Sequence, residues 1–492
     1  MTQRTVFRLV VALIAMTLIP FSAMAAPQGA LRVALTGMPN SLDLCYGADR
    51  NASNVGWRLY NSLVVVDDDG NMQPALAESW TISPDGKEYT MKLRQGVKFH
   101  NGEPFNADAV IFSWKRGTDD KVTWRKKWDI VKSIDKIDDY TVKLRLENPY
   151  PLLLRQISYF WNIVPPGYLK EVGEDGFAVH PVGTGPFRFV EWKKGDRIVY
   201  EANPDYWEAG KPRVQKLIFR PIAESTTRVA AMQTGEIDII SRISAEEAAA
   251  LQSDPKVKVI KYPVDRVFYI AFNNLTTGKG KPTEDKRVRQ AMNYAVDIDA
   301  IIDALFNGNG MPLTGFLVPT NFAYDNSLKP FGYDPDKARE LLKQAGYPNG
   351  FKITFACPAG VYSNFEQVCE AIQGFLTEVG IETELDIMES GKYWDLEAKK
   401  QLPELFGDSW SCREGEPLER LEGTLGGWAQ SYSAWFDPEL DALLKKIGAT
   451  ADDQARAKLY VELQRRMQDD PPFIYLYQPV TFEAISAKVK NY

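Results

Sequence analysis

Apolar and polar residues alternate from Leu31 to Leu35, a period of two that predicts a strand. The same alternation returns from Tyr89 to Leu93, after the turn Ser83-Pro84-Asp85-Gly86-Lys87, and Asp-Gly between two such runs predicts a hairpin. Asn106 or Asp108 then caps a helix running through Trp114. Further along, the period lengthens. Residues 225–235 read as a helix with Val229 and Met232 inward, ended by Gly235 and followed by a strand over 237–240. Asp334 caps a helix starting at Pro335, with Ala338, Leu341, Leu342 and Ala345 on one side and Gly346 at its end. A strand over 353–356, a helix over 365–379 carrying Val368, Ile372, Phe375 and Leu376, and a strand over 381–387 make a βαβ unit, hence a parallel sheet and an α/β fold.

Within this pattern the stretch Leu405–Ser411 stands apart. An apolar stub ending in Gly407 is followed by Asp408, Ser409 and Trp410, so a carboxylate and an indole arrive together at a strand's carboxyl edge, where open α/β sheets place ligands. A partly buried carboxylate prefers a cationic partner and an indole offers a flat apolar wall; a ligand with an amine beside an apolar body suits both. The same residues also fit an N-cap and a core aromatic.

The first residues change the compartment. Arg4 and Arg8 precede an apolar run over 9–19, and Ala23-Met24-Ala25 provides small residues before Ala26, the pattern of a cleaved secretory signal peptide. No cysteine stands at the cleavage site, so lipid attachment is not expected, and no later apolar run approaches the roughly 20 residues of a membrane span. Removing Arg4 and Arg8 leaves 56 basic residues against 65 acidic ones, a net charge of −9 that gives no reason to expect nucleic acid. The remaining length suits two or three domains. Four cysteines, Cys45, Cys357, Cys369 and Cys412, permit one or two bridges in an oxidising compartment, with Cys357 to Cys412 the favoured pair.

Enzyme chemistry is thinly represented. Gly407-Asp408-Ser409 resembles the nucleophile block of some lipid and ester hydrolases, which would make the chain an exported serine hydrolase, yet residue 411 is serine where a nucleophile elbow has glycine. The two histidines, His100 and His180, have no evident aspartate partner. His100-Asn101-Gly102-Glu103 lacks the second histidine of a zinc helix, and no phosphate-cradling loop ends in Lys-Ser or Lys-Thr. Neither a metal nor a cofactor is expected.

The run from Leu76 to Trp114, the block Val182-Gly183-Thr184-Gly185-Pro186-Phe187 with Asn203-Pro204-Asp205-Tyr206-Trp207, Met232-Gln233-Thr234-Gly235-Glu236-Ile237-Asp238, and Phe272-Asn273-Asn274 with Asp285-Lys286-Arg287-Val288-Arg289-Gln290-Ala291 occur in one order along the chain. Together they resemble the extracytoplasmic solute-binding proteins of ABC transporters in the peptide and nickel class (family 5, the dipeptide- and oligopeptide-binding proteins).

That resemblance implies a two-lobed periplasmic-binding-protein (Venus-flytrap) fold with an extra subdomain inserted in lobe I. The implied organisation is a signal peptide over 1–25, lobe I over 26–60 and 182–266, the inserted subdomain over 61–181, lobe II over 267–478 with hinge crossings near 267–271 and 474–480, and a return to lobe I over 479–492. It further implies a periplasmic, monomeric protein that delivers a small-molecule ligand, a peptide first and opines or oligosaccharides behind it, to the permease subunits of an ABC importer. Asp408 falls where peptide binders of this family pair with the ligand's α-amino group. Trp410 and Ser411 follow in the same block, Gly47 and Ala48 match a lobe I loop that approaches the ligand, and Tyr362, Tyr269 and Asn274 complete the implied contacts. One departure stands out: Ala359-Gly360-Val361 lacks the arginine that holds the ligand's carboxylate in dipeptide binders, leaving Arg413 or Arg420 as substitutes.

Overall fold

A computed structural model describes residues 26–46, 50–67, 70–122, 124–412 and 415–490. The signal-peptide reading, Gly47, Ala48 and Arg413 therefore lie outside the described residues.

Two large sheets organise the chain. In the first, Ala30–Leu35 runs parallel to both of its neighbours, Lys216–Pro221 and Ile239–Ile243. Antiparallel strands extend it on either side, through Arg197–Ala202 to Phe187–Lys193, and through Tyr477–Ser486 to Val257–Pro263. Separate apolar clusters form around this sheet, one with Leu35, Tyr200 and Phe219, the other with Ala34, Ile240 and Phe482. Side chains alternate across a strand, so adjacent Ala34 and Leu35 fall into different clusters.

The second sheet has the order Ile381–Met388, Phe351–Pro358, Leu405–Ser411, Arg266–Phe272, Phe473–Tyr475. Its first three strands are parallel and its last two close it antiparallel. The βαβ unit forms as the periodicity predicts, with the helix at Phe365–Glu378. The Pro335–Gln344 helix starts at its expected cap, Asp334, which accepts from the Lys337 N–H at 2.9 Å. The strand expected over 237–240 starts later, at Ile239, after Asp238, whose carboxylate accepts from the Arg32 N–H at 2.8 Å.

Between the first strand and the 187–202 hairpin lies a third body, built on the antiparallel order Ala77–Ile82, Glu88–Leu93, Thr141–Leu146, Val131–Asp138. The predicted hairpin is its first turn. Asn106, rather than Asp108, caps the Ala107–Gly117 helix, accepting from the N–H groups of Asp108 and Ala109. The body has its own core around Trp128, which stacks on Trp161 at 4.8 Å. It also touches the second sheet's body: Leu152 belongs to the core beneath that sheet, and Lys127 pairs with Glu419 at 2.9 Å.

The chain passes between the large sheets twice. Residues 267–271, expected as the first crossing, lie inside the Arg266–Phe272 strand with strands on both sides, and the chain crosses just before them, at Val264 and Asp265. The return comes at Leu476, between Phe473–Tyr475 in one sheet and Tyr477–Ser486 in the other. The two crossings are bonded to each other, Val264 N–H to the Pro479 carbonyl and Gln478 Nε2 to the Val264 carbonyl, both at 3.0 Å. Among the described residues no helix is long and apolar enough to span a membrane, and no cluster of His, Cys, Asp and Glu could hold a metal ion.

Candidate functional site

The carboxyl ends of the parallel strands Phe351–Pro358 and Leu405–Ser411, and the start of the antiparallel Arg266–Phe272, meet at one edge of the second sheet, beside the crossings. Gly407 lets the Leu405–Ser411 strand pass under the helix at Phe365–Glu378: a Cβ there would come within 2.9 Å of the Phe365 ring. Its carbonyl accepts from the Tyr393 hydroxyl at 2.6 Å, which fixes the peptide preceding Asp408.

Asp408 is 3 % exposed. Its Oδ2 accepts from the Tyr269 hydroxyl at 3.2 Å, and its Oδ1 from the Tyr362 hydroxyl at 3.3 Å and the Ser409 N–H at 2.6 Å. Burial nevertheless pushes its carboxyl up to about 6. Glu397 lies beside it, equally buried, with neither carboxyl oxygen hydrogen bonded, and burial followed by the Asp408 charge holds its carboxyl far above the usual range. The same burial and the Asp408 charge push the Tyr269 and Tyr362 hydroxyls up, so both remain protonated donors.

Tyr269 is directly opposite Asp408 in the strand pairing, packed edge-on against Phe316 at 4.9 Å and 1 % exposed, so it orients the carboxylate from within the core. Trp410 is half-buried, lying on Gly423 and edge-on to Tyr432 at 5.7 Å. Ser411 pairs with Arg266 at the open edge. Asn274 does not join them. It lies beyond the other end of the Arg266–Phe272 strand, where its amide bonds the backbone N–H and carbonyl of Phe436, both at 2.9 Å, a structural tie in place of the implied ligand contact.

Arg420, a proposed substitute for the missing carboxylate-binding arginine, is fully buried; its guanidinium donates to Asp265, Asn321 Oδ1 and the Phe316 carbonyl. Those partners occupy both of its terminal nitrogens. The loop before Tyr362 is held instead by Glu366, whose Oε1 accepts from the Gly360 N–H at 2.7 Å. The residue not anticipated from the sequence is Arg266. Its Nη1 donates to Ser409 Oγ and its guanidinium lies over the Tyr362 ring, 5.7 Å from the centroid.

Asp43, Cys45 and Tyr46 immediately precede Gly47 and Ala48 in the sequence. Asp43 accepts from the Cys45 N–H at 3.1 Å and pairs with the buried Arg116 guanidinium, which also pairs with Glu174 and lies over the Tyr46 ring at 5.3 Å.

Neither histidine is near Ser409. His100 ties two loops together, Nδ1 accepting from the Gly183 N–H at 3.2 Å and Nε2 facing the Gly185 carbonyl at 3.0 Å, and burial lowers its pKa to about 4. His180 packs edge-on against Phe189. With its hydroxyl accepting from an arginine and no histidine beside it, Ser409 lacks the partner of a serine nucleophile. The expected Cys357–Cys412 bridge does not form either. Cys357 in the Phe351–Pro358 strand faces Cys369 on the Phe365–Glu378 helix, whereas Cys412 lies past the strand end and its thiol donates to the Glu416 carbonyl at 2.8 Å.

Residues 71–432 match the profile described as Bacterial extracellular solute-binding proteins, family 5 Middle. Glutathione-binding protein GsiB of Pectobacterium atrosepticum is 34 % identical over 469 residues, covering 92 % of this chain and 89 % of its own. Heme-binding protein A of Haemophilus influenzae is 34 % identical over 478 residues, with 91 % and 86 % covered. Among solved structures, HbpA2 from Haemophilus parasuis superposes with a TM-score of 0.86 at 29 % identity, covering 93 % of this chain and 96 % of that one. The periplasmic binding protein DppA from Helicobacter pylori, in complex with the peptide STSA, gives 0.75 at 29 % identity, covering 94 % and 95 %.

Proposed function

Because the chain belongs to the bacterial extracellular solute-binding proteins of family 5, we propose that it captures a peptide or similar amine-bearing solute between its two lobes and hands it to the permease of an ABC importer. It is a binding protein and not an enzyme; the hydrolase reading has no support. The observation that carries the choice of solute is Asp408, a carboxylate held by two tyrosine hydroxyls at the sheet edge beside the crossings. An ammonium group arriving there would neutralise a charge that the buried site otherwise keeps at a cost. Trp410 is assigned as the apolar wall next to that ammonium, Tyr362 and Ser411 as neighbouring contacts, and Gly47 with Ala48 as the lobe I contact. Residues 1–25 are assigned as a cleaved signal peptide, and the exported protein as a periplasmic monomer. GsiB and Heme-binding protein A are named for glutathione and heme, and the DppA complex holds a peptide. A peptide-like solute is the class common to the first and last.

Mass spectrometry of small molecules retained by the purified protein tests the ligand class directly. A solute lacking any amine would overturn the reading of Asp408. A ligand shared between lobes shifts the open–closed equilibrium only through contacts better made when closed, so saturation with the retained solute should reduce the radius of gyration in X-ray scattering. Stabilisation without compaction would confine the ligand to one lobe. Ser409→Ala should leave affinity within a few-fold, since a hydroxyl hydrogen bond contributes only about 1 kcal/mol net. A calorimetric titration that shows a loss of a hundredfold would instead make the Ser409 hydroxyl a principal contact.

A further inference from the structure

We propose that Arg266 binds a free carboxylate of the ligand, so that the site selects solutes whose ammonium and carboxylate are carried on one carbon, a free α-amino-acid head. This rests on the assignment of Asp408 to the ligand's amine.

Several features place a cation and an anion side by side. Ser409 joins them, its N–H donating to Asp408 Oδ1 while its Oγ accepts from Arg266 Nη1. Tyr362 joins them again, its hydroxyl donating to Asp408 and its ring lying under the Arg266 guanidinium. Asp408 and Arg266 thus share Ser409 and Tyr362 as neighbours, on either side of one short stretch of strand edge.

Arg266 also has capacity to spare. A guanidinium offers five N–H donors in a planar fork suited to a carboxylate. Only one side-chain hydrogen bond from Arg266 is made among the described residues, and no described carboxylate lies within ion-pair distance. Its neighbour Asp265 cannot neutralise it, because that carboxylate is taken by Arg420 and by Asn321 Nδ2, the latter at 2.7 Å. Arg266 is only partly buried, at the edge where the chain crosses between lobes. A cation held in place by a ring and a hydroxyl, with its strongest donors unused, is disposed for an anion that arrives with the ligand. An ordinary α-linked peptide brings a neutral carbonyl next to its terminal amine and would leave this fork unmatched. A γ-linked glutamyl peptide, an opine or a free amino acid brings a carboxylate.

The test is calorimetric titration of the full exported chain with three probes: γ-Glu-Ala-Gly, the same tripeptide with its glutamyl α-carboxylate converted to the amide, and α-linked Ala-Ala-Gly. The wild-type protein should prefer the free acid over its amide by roughly thirtyfold or more, as expected for a charge-assisted pair. Arg266→Gln should erase that preference by lowering the acid's affinity far more than the amide's, and Arg266→Lys should restore part of it. Thermal denaturation confirms that the variants fold. An undiminished preference in Arg266→Gln, or an equal loss for acid and amide, would overturn the inference and leave Arg266 as support for Tyr362 and Ser409. Binding of Ala-Ala-Gly alone, indifferent to Arg266→Gln, would overturn it while the peptide reading stands. Binding of none of the three would overturn both.

Discussion

Asp408→Asn is expected to weaken binding of an amine-bearing solute by about 2 to 5 kcal/mol, the range for removing one partner of a buried charge pair, and at the same time to stabilise the unliganded protein near neutral pH. The two effects share a cause. Burial raises the Asp408 carboxyl to about 6 from an ordinary 3.8, so the folded chain holds this proton more tightly than the unfolded chain does. An acid raised on folding contributes stability that is complete below its unfolded value and is lost as pH climbs through its folded value. Above pH 6 the wild-type protein therefore carries an ionised group its surroundings disfavour, and asparagine, which imitates the protonated form, removes that cost. Melting temperatures of variant and wild type should nearly coincide at pH 4 and separate at pH 7.5, with the variant higher. Ligand affinity runs the other way: an ammonium needs the ionised carboxylate, so wild-type affinity should fall as pH drops through about 6. Titration calorimetry across this range, paired with thermal melts, reads both. Affinity unchanged in a folded variant would remove Asp408 from the site. A variant less stable at pH 7.5 would mean that the tyrosine donors more than compensate the buried charge.

Which parts of the candidate site are legible in the sequence depends on whether they rest on local order or on distant register. Asp408 and Trp410 are visible because an apolar stub, a glycine and a carboxylate fall in consecutive positions, and local order suffices to put them at a strand end. The helix at Pro335–Gln344 and the βαβ unit are visible for the same reason, since their caps and periods are local. What is not legible depends on register between distant strands. Arg266 becomes part of the site only because it pairs with Ser411 across 145 positions of chain, and Asn274 leaves it because eight residues further along the same segment reach the far edge of the sheet. The crossing at Val264 and Asp265 falls just before the apolar run that points to it, for a related reason. An unbroken apolar run is the signature of a strand buried on both faces, and it looks the same inside a sheet as between two. Glu397 gives no sign of burial in a helix reading Ser390-Gly391-Lys392-Tyr393-Trp394-Asp395, and the carboxyl pair it makes with Asp408 is a tertiary fact.

Arg420→Met should lower the free energy of unfolding by about 3 kcal/mol, at the lower end of what breaking a buried ion pair costs. The sequence offered Arg420 as a ligand-facing cation, but its guanidinium is wholly enclosed and joins three segments: Asp265 in the crossing, Asn321, and the carbonyl of Phe316 beside the aromatic group of Tyr269 and Phe473. Methionine fills much of the same volume, so the loss is chiefly electrostatic. It is tempered on two counts. The Asp265 side chain is 20 % exposed and can take up water, and it keeps the Asn321 amide as a donor. Asn321 Oδ1 likewise keeps the Val318 N–H at 3.0 Å. The Phe316 carbonyl loses the guanidinium donor outright. Urea denaturation should show a lower midpoint with an unchanged slope, since the same surface is exposed on unfolding. A decrease under 1 kcal/mol would mean that the Asp265 carboxylate is satisfied by water and that the crossing is anchored elsewhere. Because Asp265 immediately precedes Arg266, the variant also bears on the ligand. Releasing Asp265 from Arg420 makes it available to the Arg266 guanidinium, and competition for that fork should weaken a carboxylate-bearing solute more than its amide. Calorimetry with both probes on Arg420→Met separates this from a general loosening of the fold, which would weaken the two alike.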